Sequence, residues 1–125
     1  MYLQLTTEEK KFQHEVHQFL LEQNTGEVIR GFELANSWED VGEESRQFLQ
    51  KLVQKGWLIV SWPKEFGGQE KSNTLLFILM NELSYFEMSP SDFAAGIGSS
   101  FIFGPLLMRY GTNQVKREPL PSVAK

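Results

Sequence analysis

Cysteine is missing from all 125 residues, which removes disulfides, thiolate nucleophiles and cysteine-based metal sites from consideration and fits a reducing compartment. Positive charge is also short. Lys and Arg number 12 against 16 Asp and Glu, a formal charge of −4, and no basic stripe interleaved with aromatics occurs, so no nucleic-acid partner is expected. Nor is there a long hydrophobic run. The longest uncharged stretch, residues 93–108, is shorter than the ~20 residues of a membrane span, and Gly96, Gly98, Gly104 and Pro105 interrupt it. It is expected to be buried in protein, with no membrane span. Residues 1–6 lack the basic flank and apolar core of a signal peptide, so secretion is not expected. The expected compartment is the cytoplasm, or the mitochondrial matrix in a eukaryote.

What is present is apolar and aromatic. Hydrophobic residues make up 41% of the chain, with ten Phe, three Trp and three Tyr, and each fully buried Phe contributes about 1.5–3 kcal/mol. A chain of this size can bury one core without disulfides or a metal. One folded domain is expected.

The apolar residues recur at helical spacing. Thr6-Thr7-Glu8-Glu9 reads as a capping box, followed by Phe12, Val16, Phe19 and Leu20 on one face of a first helix that runs to about Gln23. Asn24-Thr25-Gly26 ends it, and the mixed stretch from Glu27 to Asn36 reads as loop or a short turn of helix. Ser37-Trp38-Glu39-Asp40 offers a cap for a second helix, whose stripe of Val41, Phe48, Leu49, Leu52 and Val53 closes at Lys55-Gly56, a glycine suited to a left-handed stop. Trp57 to Trp62 is apolar but too short for a helix, and Pro63 bars a central strand, so an extended, buried connector is expected. Ser72-Asn73-Thr74 caps a third helix with Leu75, Leu76, Leu79, Glu82, Leu83 and Phe86. Ser91-Asp92 opens a fourth, rich in Ala, Gly and Ser from Phe93 to Phe103. Pro105 starts a short helix that Gly111 ends, and Thr112 caps a last turn through about Glu118. The fold class that follows is all-α, an up-and-down-like bundle of about four to five helices.

No catalytic constellation emerges from the residues themselves. His14 and His17 stand one helical turn apart, but no third ligand occurs at a metal-binding spacing, and they read as two solvated histidines. Gly96-Ile97-Gly98 begins like a dinucleotide fingerprint, yet Phe101 stands at the third glycine position and no strand precedes it. Gly67-Gly68 lacks the Lys-Ser/Thr pair of a phosphate loop and reads as a turn. Glu8-Glu9 and Glu43-Glu44 are sequence neighbours that point apart on a helix, so neither forms an acid–base pair.

Several blocks in order carry a resemblance. The second helix ends in Gln54-Lys55-Gly56-Trp57, then comes Trp62-Pro63-Lys64-Glu65-Phe66-Gly67-Gly68. A helix with Asn81-Glu82-Leu83 follows, then Pro90, a glycine-rich helix, Gly104-Pro105-Leu106-Leu107, Tyr110-Gly111-Thr112 and Leu120-Pro121. This order resembles the helical N-terminal domain of flavin-dependent acyl-CoA dehydrogenases across nearly the whole chain. Two features depart from that pattern: Gln114-Val115-Lys116 where Gln-Lys is usual, and Pro119 where a non-proline residue stands.

The resemblance implies a helical domain over residues 1–118, with 119–125 starting a linker to a β-domain absent from this sequence. It implies α,β-dehydrogenation of an acyl-CoA thioester in fatty acid metabolism. A carboxylate takes the α-proton, the β-hydride passes to FAD, and an electron-transferring flavoprotein reoxidises the flavin. The carboxylate and most FAD contacts lie outside this chain, so the chain alone is expected neither to bind FAD nor to be active. The complete protein is expected to be an oligomer. By position, Phe101, Phe103, Gly104 and Leu107 resemble the part that lines the acyl end of the pocket, with packing of the bundle as the alternative for each. A non-catalytic helical interaction module of the same fold stays open, as does the same domain of an acyl-CoA oxidase or flavin monooxygenase.

Overall fold

The helices form where caps and apolar stripes coincide. In the computed structural model, which describes residues 4–23, 25–88 and 104–117, helix α1 spans Thr7–Glu22 and begins at the expected capping box. The Glu9 N–H donates to Thr6 Oγ1 at 3.2 Å, and the Thr6 N–H donates to the Glu9 carboxylate at 2.8 Å. Its buried face is Phe12, Val16, Phe19 and Leu20.

The stretch read as loop or a short turn of helix is a full helix, α2, Thr25–Glu33, nine residues long. Only Val28 is fully buried on it, so its apolar stripe is thin. Packing supplies what local pattern lacks. Gly31 of α2 lies against Ser45 of α3, Glu43–Gln54, and the wholly buried Ser45 hydroxyl donates to the Val28 carbonyl at 2.8 Å. Gly31 also approaches Gly42, so α2 and α3 run antiparallel.

Ser37 does not cap a long helix. It precedes a 3-10 turn, Trp38–Asp40, and its hydroxyl donates to the Asp40 carboxylate at 3.1 Å. Arg46 holds the backbone there by donating to the carbonyls of Val41 at 2.9 Å and Glu39 at 2.6 Å. The helix proper therefore starts later, with Gly42 at its cap and Glu43 and Glu44 in its first turn, where their charge suits the helix dipole.

Gly56 takes the left-handed conformation expected of it, φ 70°. The connector after it is buried but not extended. Trp57–Ile59 and Lys64–Phe66 are 3-10 turns, closed by the Val60 N–H to the Trp57 carbonyl at 3.3 Å and the Gly67 N–H to the Lys64 carbonyl at 3.0 Å. An extended strand would turn alternate residues outward. The compact path lets Trp57, Leu58, Ile59, Val60 and Trp62 all be buried.

Helix α4, Asn73–Tyr85, is capped by Ser72, whose Oγ accepts the Thr74 N–H at 3.1 Å, and it presents Leu75, Ile78, Leu79 and Leu83 to the core. Lys71 reaches Glu8 at 2.8 Å and Glu82 reaches His17 at 2.7 Å. The partners come in the same order along both segments, so α1 and α4 lie side by side in the same direction. Between α1, α3 and α4, Trp57 meets Phe12 and Phe19 edge to face at 5.8 and 5.3 Å. Two short helices close the described chain, α5 at Gly104–Tyr110 and α6 at Asn113–Arg117. The described residues form helices and turns with no strand, which is the all-α class expected. The expected fourth helix, residues 93–103, lies outside the described residues, as does 119–125.

Candidate functional site

A second, smaller apolar cluster stands apart from the main core. It is built on Ile59 and Trp62, with Phe66, Leu107 and Met108 packed against them. The turn fixes Trp62 from the backbone side. The Glu70 N–H donates to the Trp62 carbonyl at 2.9 Å, and the Gly68 N–H donates to the Pro63 carbonyl at 3.1 Å. Gly68 lies so close that a Cβ there would overlap the Trp62 carbonyl.

On the other side the indole meets α5. Gly104 is buried, and a Cβ added to it would overlap Cζ2 and Cη2 of Trp62. Of the four residues expected to line a pocket, Gly104 thus sits on this indole and Leu107 packs on the same Ile59–Trp62 cluster, while Phe101 and Phe103 lie outside the described residues. Beside them an open cleft of about 350 Å³ is bounded by Ser61, Trp62, Pro63, Asn73, Pro105, Met108 and Arg109. Its chemistry is apolar contact with one cationic rim group. Such a surface can hold and desolvate a ligand but has no acid or base with which to transform it.

Sequence reasoning missed the part Trp62 plays here. The Trp-Pro turn and the Gly-Pro break are each visible, but no periodicity links positions so far apart. It also missed the fate of His17. His14 is exposed as expected, whereas His17 is half-buried and paired with Glu82, which is only 8% exposed and also accepts from Gln13 Nε2 at 3.3 Å. The imidazole lies 5.7 Å from the Tyr85 ring and 5.3 Å from the Phe86 ring. With its carboxylate shared between two donors of α1, Glu82 ties α4 to α1. At the other end of the same interface, the hydrogen bond and charge of Lys71 hold the Glu8 carboxyl below the usual glutamate range.

Among the described residues, no three or more His, Cys, Asp or Glu are grouped to hold a metal, and no helix is long and apolar enough to cross a membrane. No buried side-chain nitrogen or oxygen among them lacks a hydrogen-bond partner.

The profile of the family described as acyl-CoA dehydrogenase, N-terminal domain, matches residues 6–125. The chain is 28% identical to acyl-CoA dehydrogenase FadE26 of Mycobacterium tuberculosis over 130 aligned positions, which take in 99% of this chain and 30% of that protein. Two solved structures are similar. The Tcur3481-Tcur3483 steroid ACAD superposes with a TM-score of 0.74 at 26% identity, over 99% of this chain and 30% of its own. The ChsE4-ChsE5 complex from Mycobacterium tuberculosis gives 0.69 at 24% identity, over 99% and 29%, a likeness of fold. This chain therefore spans about 30% of the length of its relatives.

Proposed function

Because this chain belongs to the family of acyl-CoA dehydrogenase N-terminal domains, we propose that it forms one wall of the acyl-CoA pocket in a flavin-dependent enzyme that desaturates thioesters at the α,β bond. The observation that carries this reading is the match over residues 6–125. The meeting of Gly104 and Leu107 at the Ile59–Trp62 cluster supports it.

The wall's contribution is binding. Leu107 and Met108 offer half-buried apolar surface, and an acyl chain laid on such surface gains ~0.8 kcal/mol for each CH2 removed from water. Phe101 and Phe103 complete the proposed lining by their place in the sequence. The described residues do not by themselves fit a flavin: no unpartnered buried polar group points into a cavity, and the clefts are open. As the family resemblance implies, FAD and the proton-abstracting carboxylate belong to polypeptide outside this chain. In this reading residues 1–118 are the helical domain and 119–125 begin a linker to a β-domain. The complete protein is an oligomer reoxidised by an electron-transferring flavoprotein, in the cytoplasm or, in a eukaryote, the mitochondrial matrix.

The likeness to a steroid ACAD puts bulky polycyclic thioesters beside straight chains as substrates to try. The test is to purify the natural protein with any subunit that accompanies it and record flavin absorbance while straight-chain and steroid side-chain acyl-CoA thioesters are added without oxygen. Bound flavin that bleaches with a saturated thioester is the expected result. Protein that carries no flavin and responds to none of them would overturn the enzyme reading and leave the interaction module.

A further inference from the structure

We infer that Trp62, a residue of the turn between α3 and α4, is the positioning residue for the acyl-facing wall, because it sets where α5 begins. The inference rests on the proposed pocket and adds to it a residue that acts by placing the helix of the wall.

A helix of seven residues cannot hold its own place, since isolated helices shorter than ~12 residues are marginal in water, so packing must locate α5. The one residue of α5 that is fully buried is Gly104, and it is seated against the edge of the Trp62 indole with no room for a methyl group between them. One turn further on, Leu107 and Met108 pack on the same small cluster of Ile59 and Trp62. The indole itself is referred to a fixed backbone. Gly68 closes on its carbonyl, and the Glu70 N–H and Trp62 N–H bonds, both 2.9 Å, pin the residue within the turn. Close-packed interiors transmit such a displacement instead of absorbing it. A smaller ring at position 62 lets Gly104 settle inward and carries Leu107 with it; added bulk at 104 drives the helix the other way. The size of acyl group accepted then follows the volume of one buried side chain in the turn before α4.

The experiment uses the natural flavin-bearing protein and measures kcat/KM for one straight-chain and one steroid side-chain acyl-CoA thioester. Trp62→Phe is expected to shift the ratio of the two on the order of tenfold, the scale on which small changes in an apolar pocket discriminate. Gly104→Ala, which crowds the same contact from the helix side, is expected to shift the ratio as well and decides the matter if Trp62→Phe does not accumulate. Trp57→Phe is the control for stability alone. It trims an indole of the main core, against Phe12 and Phe19, and should lower the melting temperature while leaving the ratio unchanged. Turnover with an unmoved ratio in both Trp62→Phe and Gly104→Ala, or an equal shift in Trp57→Phe, overturns the positioning role alone. No turnover of any acyl-CoA by the unsubstituted protein overturns the proposed function and this role with it.

Discussion

Replacing Trp62 with alanine removes a large side chain that is only 4% exposed, and the expected loss is about 3–5 kcal/mol, as for other large-to-small core changes. A thermal melt with a loss under ~1 kcal/mol, well below that range, contradicts the placement. Gly104→Ala tests the same contact against an opposing force. The loss of glycine's freedom in the unfolded chain favours alanine by about 0.4–1 kcal/mol, but its Cβ would overlap the indole, and crowding a packed site costs about 1–3 kcal/mol. Net destabilisation is expected, read as a lower Tm and partly recovered when Trp62→Phe is combined with it. A Tm raised by Gly104→Ala would mean that the two residues do not touch. The contrast with the Thr6–Glu9 capping box is instructive. That box was legible because its partners stand one turn apart and their chemistry is local. Trp62 and Gly104 were legible only as residue types at turns, and nothing in either neighbourhood encodes their meeting. The pairing of His17 with Glu82 was hidden in the same way, since each belongs to its own helix pattern.

Among the elements, α1, α3 and α4 could be read from stripes of buried Phe, Val and Leu, and the stop at Gly56 from its basic last turn. Helix α2 could not. Its single fully buried residue, Val28, and its mid-helix Gly31 give a local pattern that favours no state, so only the face of α3 decides. The connector after Gly56 was misread for a related reason. Five of its six residues from Trp57 to Trp62 are buried, and periodicity does not distinguish a buried strand from tight turns. Gly31→Ala tests the α2–α3 contact. The new methyl would overlap Ser45 Oγ, which is committed to the Val28 carbonyl, and a loss of about 1–3 kcal/mol is expected. Ser45→Ala alone should cost about 0.5–1.5 kcal/mol, the worth of one hydrogen bond. If chemical denaturation finds Gly31→Ala neutral, α2 does not dock through this glycine.

At the scale of the whole molecule, α4 and α5 turn large apolar groups outward: Phe77 and Tyr85 on one, Leu106 and Tyr110 on the other, each more than half exposed. Apolar surface of this kind marks a contact face when it is contiguous, and the chain spans about 30% of its relatives' length. Studied alone, it is expected to self-associate as concentration rises, measured by sedimentation velocity; a monodisperse monomer at high concentration contradicts that. Lys substitutions at Phe77 and Leu106 should suppress the association without lowering Tm. The all-α class and the family were legible across this scale because each rests on patterns confined to short segments. The outward face was not, because the stripes that mark a core do not say what covers the opposite side.

The parallel run of α1 and α4 has a consequence in time. Two helices that lie side by side in the same direction cannot be joined by a tight loop, so the whole stretch from Glu22 to Asn73 must travel back along the bundle between them. The antiparallel α2 and α3 close a short loop, and the entropy of closure rises with loop length. Contacts distant in sequence form slowly for that reason. The α2–α3 hairpin is thus expected to assemble early, and the seating of α1 on α4 through His17 and Glu82 is expected to follow.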